Sequence, residues 1–503
     1  MKQGIKNFRR PSFQFRLENF KLYADTDWFR LAPLTCLVGR NSSGKSSIIN
    51  ALLLLKQSLE SDVMGSTLMP LSLAGPYCDL GNFSDVVYKH DDSSNLSISF
   101  SSTFNDLLDS PFDNAPPFVK LTVPRFAPSF RSGYYYSRFG ESTLPRKGNI
   151  KVRLSFKPDE PFGPSLNLVE IASDEVGTAK FVRTVSGERH QHWRIYTTDL
   201  PPRSLRLRQN ARTFFPYIEM RESSYEKSGP SSRKKVRTFL VATQKLFSYL
   251  TRILNRCQVI GPFRTPPERR YSFAGFSNTR VDPSGGIAVD LLITELLLSA
   301  NKSKPLQNAT SFWLHHLGLA NSLNIKDIAK RLNLFEVDVA GAGKGTHANI
   351  VDVGFGISQV LPVIIQGLLM RPGGIYLVQQ PEIHLHPDAQ AGLADFFIYL
   401  ASYGVITVVE THSEYLLLRL RRRLAEGGLP LSIGLPNEQT PIPPLSRKDV
   451  SVLLTDSGKS GHGSLTTLEI GDSFQFDNLP VGFMDQSLSD RLHLLKALGR
   501  KND

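Results

Sequence analysis

Gly39-Arg40-Asn41-Ser42-Ser43-Gly44-Lys45-Ser46, with Ser47 after it, is the stretch that decides how this 503-residue chain is read. It matches G-x-x-x-x-G-K-[ST], a phosphate-binding loop. The residues before it, Leu34 to Val38 (LTCLV), are a short apolar run suited to a strand buried on both faces. From Ser46 to Leu59 the chain carries Ile48, Ile49, Leu52, Leu53, Leu55 and Leu59, the broad apolar face of a helix. Strand, glycine-rich turn and helix are the context the motif needs. Gly39 and Gly44 let the backbone wrap phosphates with its N–H groups, and Arg40 to Ser43 form the loop between them. Lys45 reaches the terminal phosphates, the Ser46 hydroxyl suits Mg²⁺, and the helix N-terminus from Ser47 onward adds a favourable dipole. The ligands expected from this stretch are ATP and Mg²⁺.

Composition narrows the class. A hydrophobic fraction of 41% with 21% charged residues is ordinary for a globular protein. No run approaches the roughly 18 apolar residues of a membrane span, and the basic amino terminus lacks the apolar core of a secretory signal. Cys36, Cys78 and Cys257 are far apart and form no C-x-x-C pair, which argues against a disulfide framework and suits a reducing cytoplasm. The net charge of +13 is more than nucleotide phosphates require, and a basic surface attracts nucleic acid, acidic protein or anionic lipid, with DNA a candidate partner.

Outward from the loop, Phe13 to Phe20 (FQFRLENF) alternates as a half-buried strand. Residues 1–104 are read as the first half of an ATPase domain and 105–257 as an inserted region. In the insert, DSPFDNAPPF and SGYYYSRFGES suggest loops between short strands, followed by a helix from Arg233 to Cys257 with a basic outer side. The α/β rhythm returns in 258–430, with strands at Ile375–Val378 and Val405–Val409 around a helix Pro387–Leu400, a βαβ unit. Residues 431–503 form an extension with strand-like VSVLL and SLTTLEI and a short helix Ser487–Leu498.

Three further segments carry chemistry. In IYLVQQPEIHLHP a buried strand ends in Gln379-Gln380-Pro381-Glu382, where a phosphate-cleaving site needs a group for the metal shell and a base for water. Val405 to Glu410-Thr411-His412-Ser413 sets a polar histidine directly after another buried strand. Gly354-Phe355-Gly356-Ile357-Ser358-Gln359 opens a helix, with Ser358 expected as its N-cap and Pro362 close to its first turn. Glu382, His384, His386 and Asp388 have a metal-like spacing, although a turn after the strand fits them better.

Together, and in this order, these four segments resemble the ABC-type ATPases, specifically their SMC-like and OLD-like branch. The resemblance implies an α/β, ABC-type P-loop ATPase fold with a large insertion between the two halves of the nucleotide lobe; roughly 330 residues separate Lys45 from Gln379. GRNSSGKSS is similar to the Walker A, FGISQ to the signature segment, LVQQPEIHLHP to the Walker B with its D-loop, and ETHS to the switch histidine. GPYCDLGNFSDVVYKHD, IGPFRTPPER and FDNLPVGFMDQ are similar to stand-alone bacterial ATPases, some of them ATPase subunits of PARIS-type anti-phage systems beside a separate effector such as a nuclease.

The resemblance implies a head-to-tail dimer, or a higher homo-oligomer, in which Gly356, Ser358 and Gln359 of one copy complete the phosphate site of another. It also implies catalytic roles at Gln380, Glu382 and His412 and a metal-shell role for Ser46 and Gln379. The chain departs from the pattern at Gln379 and Gln380, where acids are usual. A Gln can hydrogen-bond a metal-bound water but takes no proton, so slow hydrolysis is expected. Three basic clusters, Arg203-Arg206-Arg208-Arg212, Arg233-Lys234-Lys235-Arg237 and Arg419-Arg421-Arg422-Arg423, are candidate DNA contacts, as is Tyr134-Tyr135-Tyr136 between Arg131 and Arg138. The insert has no long heptads for a coiled-coil arm, and Asp456 and Asp472 are isolated acids, which argues against a fused nuclease.

Overall fold

A computed structural model describes residues 12–60, 71–108, 144–159, 163–186, 190–201, 204–208, 215–220, 229–275, 281–299, 304–329, 332–341, 347–429, 444–458 and 461–478. Its centre is a six-stranded sheet in the order Gln258–Ile260, Ile375–Gln379, Ile406–Glu410, Leu34–Gly39, Val450–Asp456, Ser464–Leu468. The first five strands are parallel and the last is antiparallel. The strand that carries the histidine segment therefore lies between the strand ending in Gln379 and the strand of the phosphate loop.

Alternation along these strands feeds two cores. Leu37, Ile375, Leu377, Ile406, Val408 and Leu453 face one, and Cys36, Val38, Tyr376, Val378, Val409 and Val452 face the other. Burial on both faces explains the unbroken apolar runs LTCLV and IYLV. Each fully buried Leu, Ile or Val contributes about 1.5–3 kcal/mol, and these residues make up much of the parallel strands.

The first core joins the parallel sheet to a second, antiparallel sheet of eight strands. There Phe13–Phe20 pairs with Tyr23–Asp25, Phe29–Leu31 and Leu96–Thr103, and the order continues through Asn149–Lys157, Ser165–Ser173, Gly177–Ser186 and His190–Thr198. Helices Lys45–Glu60 and Pro230–Asn255 pack against each other in this core. The first of them is so enclosed that Lys56 is fully buried, its ammonium 2.7 Å from Glu60 and 4.4 Å over the Tyr77 ring. The second core packs helices Ala288–Leu298, Pro305–His316, Phe355–Leu369, Pro387–Ser402 and Glu414–Ala425, with Trp313 fully buried against Phe396 and Tyr399.

Two expectations change here. The insert was expected to hold short strands; it has two, Leu205–Arg208 and Tyr217–Met220, but also four long strands of nine or ten residues that extend the sheet begun by Phe13–Phe20, while DSPFDNAPPF and SGYYYSRFGES lie outside the described residues. The Arg419–Arg423 cluster is not an open basic surface. Asp395, fully buried, accepts from Arg423 Nε at 2.7 Å and Nη2 at 3.0 Å, from Arg419 Nη1 at 2.8 Å and from His316 Nε2 at 3.0 Å. Arg421 donates to the Phe474 carbonyl at 2.5 Å, and Arg422 pairs with Glu426 at 2.7 Å. Among the described residues no helix is long and apolar enough to cross a membrane. The expected helix Ser487–Leu498, the Tyr134–Tyr136 run with Arg131 and Arg138, and Arg203 and Arg212 lie outside the described residues.

Burial pushes the Asp395 carboxyl up, but the His316 and Arg423 hydrogen bonds and the two guanidinium charges outweigh it and hold the pKa at about 2. Replacing Asp395 by Ala leaves buried Arg423 with only the exposed Glu426 as counter-charge, and urea unfolding should show a loss of about 3 kcal/mol. Since the folded pKa lies below the unfolded value near 3.8, the wild-type contribution is present above the unfolded pKa and is lost as the pH falls through about 2. The Ala variant should lack that part of the acid dependence.

Candidate functional site

The phosphate-loop glycines are required by close approaches. Gly39 has φ +145°, and a Cβ there would meet the Thr455 carbonyl at 2.3 Å and Ser43 Oγ at 2.9 Å. Gly44 has φ +101° and backs onto Tyr23, whose hydroxyl donates to the Gly44 carbonyl at 3.2 Å and would lie 2.7 Å from a Cβ. Ser43 Oγ shares a 2.5 Å hydrogen bond with Thr455 Oγ1, so the loop is fastened to the strand Val450–Asp456. Ser47 N–H donates to the Gly44 carbonyl at 3.1 Å, starting the helix. Arg40, Asn41, Ser42 and Ser46 are exposed, whereas Ser43 and Lys45 are buried. Lys45 Nζ donates to the carbonyls of Gly39 at 3.1 Å and Arg40 at 2.6 Å. Burial holds its pKa below the usual lysine value, opposed by the charges of Glu410 and Glu382. Both acids therefore act on the same ammonium.

The next strand end supplies Gln379 and Gln380. The strand stops at Gln379, and Gln380 takes φ +46° with its N–H donating to the Glu410 carbonyl at 2.7 Å. Glu382 thus returns to the site through a turn and not by strand alternation. Its Oε1 accepts the His412 N–H at 2.6 Å, while Oε2 is buried with no hydrogen-bond partner among the described residues. Burial raises the Glu382 pKa above the usual carboxylate range, against the His412 N–H, the Thr411 hydroxyl and the Arg264 charge. The His412 ring is exposed, and partial desolvation followed by the Lys45 charge lowers its pKa. His384, at φ +63°, and His386, the N-cap of Pro387–Ser402, belong to the turn and helix start.

Two residues escaped the sequence reading. Glu410, buried at 4% exposure, accepts from Ser46 Oγ at 2.9 and 3.2 Å and from Gln379 Nε2 at 3.0 Å. Arg264, from the segment IGPFRTPPER, donates to the carbonyls of Gln359 at 3.3 Å, Gln379 at 2.8 Å and Gln380 at 3.2 Å. Burial brings its guanidinium pKa down to about 10, with Tyr376 and Glu382 opposing. Glu410 was legible as an acid at a strand end beside His412; nothing in the sequence marked Arg264 beyond its segment.

The signature-like segment differs locally from expectation. The helix Phe355–Leu369 starts earlier, with Gly354 at the N-cap, so Ser358 sits inside its first turns and donates to the Phe355 carbonyl at 2.8 Å. Pro362 is consequently in the helix interior, where it removes one backbone bond. Ser358 and Gln359 are buried, whereas Phe355 is exposed and a Cβ on Gly356 would lie 3.0 Å from the His384 carbonyl. Among the described residues none of Gly356, Ser358 and Gln359 is hydrogen-bonded to the phosphate loop; Arg264 links the Gln359 backbone to that strand end.

For Mg²⁺, the residues present fit. Ser46 and the Glu410 carboxylate form an oxygen-rich pair at the start of the phosphate-loop helix, with the Gln379 amide beside them. Among the described residues no group of three or more His, Cys, Asp or Glu could hold a metal alone. One carboxylate plus substrate phosphates is the usual manner of Mg²⁺ in nucleotide sites.

Two family models match, one on each side of the insert. Residues 14–109 match "AAA ATPase domain", and residues 307–419 match "AAA domain, putative AbiEii toxin, Type IV TA system". Both matched models are ATPase-domain models, the first containing the phosphate loop and the second the strands ending in Gln379 and Glu410. The two matched segments meet in the parallel sheet, where the strand before the phosphate loop pairs with the strand ending in Glu410. No curated protein matches. Among solved structures, an SMC head bound to the C-terminal winged-helix domain of ScpA is 11% identical, with 92% of this chain and 98% of that one aligned at a TM-score of 0.41. A Pyrococcus furiosus SMC head with an extended coiled coil, bound to the ScpA C-terminal domain, is 11% identical (96% and 98% aligned, TM-score 0.38). The SMC head of Thermotoga maritima is 10% identical (92% and 100%, 0.36).

Replacing Arg264 by Met should lower unfolding stability by on the order of 3 kcal/mol, because three carbonyls lose a charged donor. Lys at this position should recover only part of it, since a single ammonium does not reproduce the guanidinium fork. Chemical denaturation of the three proteins checks this.

Proposed function

We propose that this split P-loop ATPase is a switch that binds ATP with Mg²⁺ and hydrolyses it slowly. The observation that carries the reading is the pairing of a complete phosphate loop with Gln379 and Gln380 at the adjoining strand end. Gln380 has no carboxylate to accept a proton from water. Glu382 remains as the candidate base: its Oε2 is buried without a partner, and its raised pKa makes it a stronger acceptor once ionised. His412, exposed beside Lys45, suits contact with the terminal phosphate.

In this reading ATP joins two copies head to tail. The first turn of Phe355–Leu369, with Gly356, faces the partner copy's nucleotide, and Ser358 and Gln359 support that turn from behind. The output is a change in dimer geometry passed to a separate effector protein, such as a nuclease, in prokaryotic anti-phage defence. Support for this last step is the sequence resemblance to defence ATPases and the toxin–antitoxin description of the family matched by residues 307–419. An SMC-like DNA-maintenance ATPase is the alternative. The internal partners of Arg419, Arg421, Arg422 and Arg423 weigh against it, and DNA binding that ATP strengthens and salt weakens would favour it.

Mass measured with and without ATP should rise for the wild type and stay constant for Lys45→Ala; identical behaviour of the two removes the switch. Steady-state turnover should stay below about 1 s⁻¹, under the usual enzyme range. The rate should rise with pH through an apparent pKa above the ordinary carboxylate range, because ionised Glu382 is the active form. Glu382→Gln should remove that limb and the residual turnover while ATP binding persists. An unchanged pH profile would exclude Glu382 as the base.

A further inference from the structure

The switch reading leaves an electrostatic question at Gln379. A hard divalent cation beside nucleotide phosphates needs at least one protein carboxylate or its equivalent in the shell, and an amide offers only a neutral dipole. The metal half of the site nevertheless contains a carboxylate. Glu410 stands directly opposite Gln379 in the parallel ladder, at the end of the neighbouring strand. Its two oxygens are aimed at the phosphate-loop serine, with Ser46 Oγ at 2.9 and 3.2 Å. Its backbone carbonyl is held by the Gln380 N–H at 2.7 Å, and Oε2 is held by the Gln379 amide at 3.0 Å.

We infer that Glu410 is the metal-shell carboxylate of this site, and that Gln379 is its neutral clamp and not a lost ligand. The acid has moved one strand across the sheet. An amide at 379 follows from that move: a second carboxylate 3.0 Å from the first would repel it, whereas the Gln379 N–H donates to it and fixes its rotamer. The departure at Gln379 therefore leaves metal binding intact, and the weakness of the site is confined to the proton-accepting position at Gln380. This inference rests on the ATP-binding reading, and the two can fail separately.

The test uses the full chain, a fluorescent ATP analogue in EDTA, and Mn²⁺ titrated into protein saturated with a non-hydrolysable ATP analogue, with free Mn²⁺ read by electron paramagnetic resonance. Glu410→Gln should weaken Mn²⁺ by about 10- to 100-fold, in line with losses at metal-supporting positions, while the variant still binds nucleotide in EDTA. The exchange variant Gln379→Glu/Glu410→Gln should return Mn²⁺ affinity towards wild type. Gln379→Glu alone should melt at a lower temperature than wild type in EDTA and regain stability with Mn²⁺ and nucleotide. This last variant keeps the question open to test if Glu410→Gln does not fold. Wild-type Mn²⁺ affinity in Glu410→Gln, an exchange variant as weak as Glu410→Gln, or a Gln379→Glu protein with no metal-dependent change in stability would each overturn the assignment. Absence of nucleotide binding by the wild type, with or without metal, would instead overturn the ATP-binding reading beneath it.

Discussion

The parallel register that sets Gln379 opposite Glu410 and Glu410 opposite Leu37 is the constraint on which the rest of the site depends. Three strands drawn from distant parts of the chain end at one edge. Because each runs parallel to its neighbour, their carboxyl ends and the turns after them fall together. Lys45 and Ser46 follow the first strand, Gln380 and Glu382 the second, and His412 the third. A register slip of one residue would turn Glu410 away from Ser46 and carry Val409 into its place. The unbroken apolar strands resist that slip, since each would have to exchange its two buried faces.

Around that edge the fold spends buried polar groups sparingly and couples them. Arg264 ties the backbone at Gln359 to the strand end at Gln379 and Gln380, so the helix Phe355–Leu369 and the strand end form one hydrogen-bonded unit. Thr455 fastens the phosphate loop from the strand on the other flank of Leu34–Gly39. Asp395 gathers Arg419, Arg423 and His316 from two further helices. A buried charge is tolerable only when fully partnered, and that requirement turns what looks like a surface arginine cluster into an internal brace.

The legible parts of the sequence were those where one local rule dominates. LTCLV, IYLV and the phosphate-loop helix were read from burial on both faces or from a helical period, and the structure has them within a residue or two. The long strands of the insert were not anticipated, although NIKVRLSFK carries a clean alternation of Ile150, Val152, Leu154 and Phe156, all buried in the strand Asn149–Lys157. The proline- and aromatic-rich segments before it obscured that signal. Ser358 has the residue type that favours caps, yet Gly354 starts the helix and Pro362 is carried inside it, where Gly285 gives it room: a Cβ there would be 2.5 Å from the Pro362 ring. Local preference lost to packing at both positions.

Sequence alone marked the phosphate-loop motif, because Gly39, Gly44, Lys45 and Ser46 fall within eight consecutive residues. It also determined that Gln379 and Gln380 carry no charge. Only the tertiary structure decided what that absence means. Glu410 lies 31 positions from Gln379 along the chain, and Glu382 returns through a turn at Gln380 that no periodicity announces. Charge at a site is summed over space, while a motif records only neighbours in sequence. The acid beside Ser46 becomes visible once the strands are laid side by side.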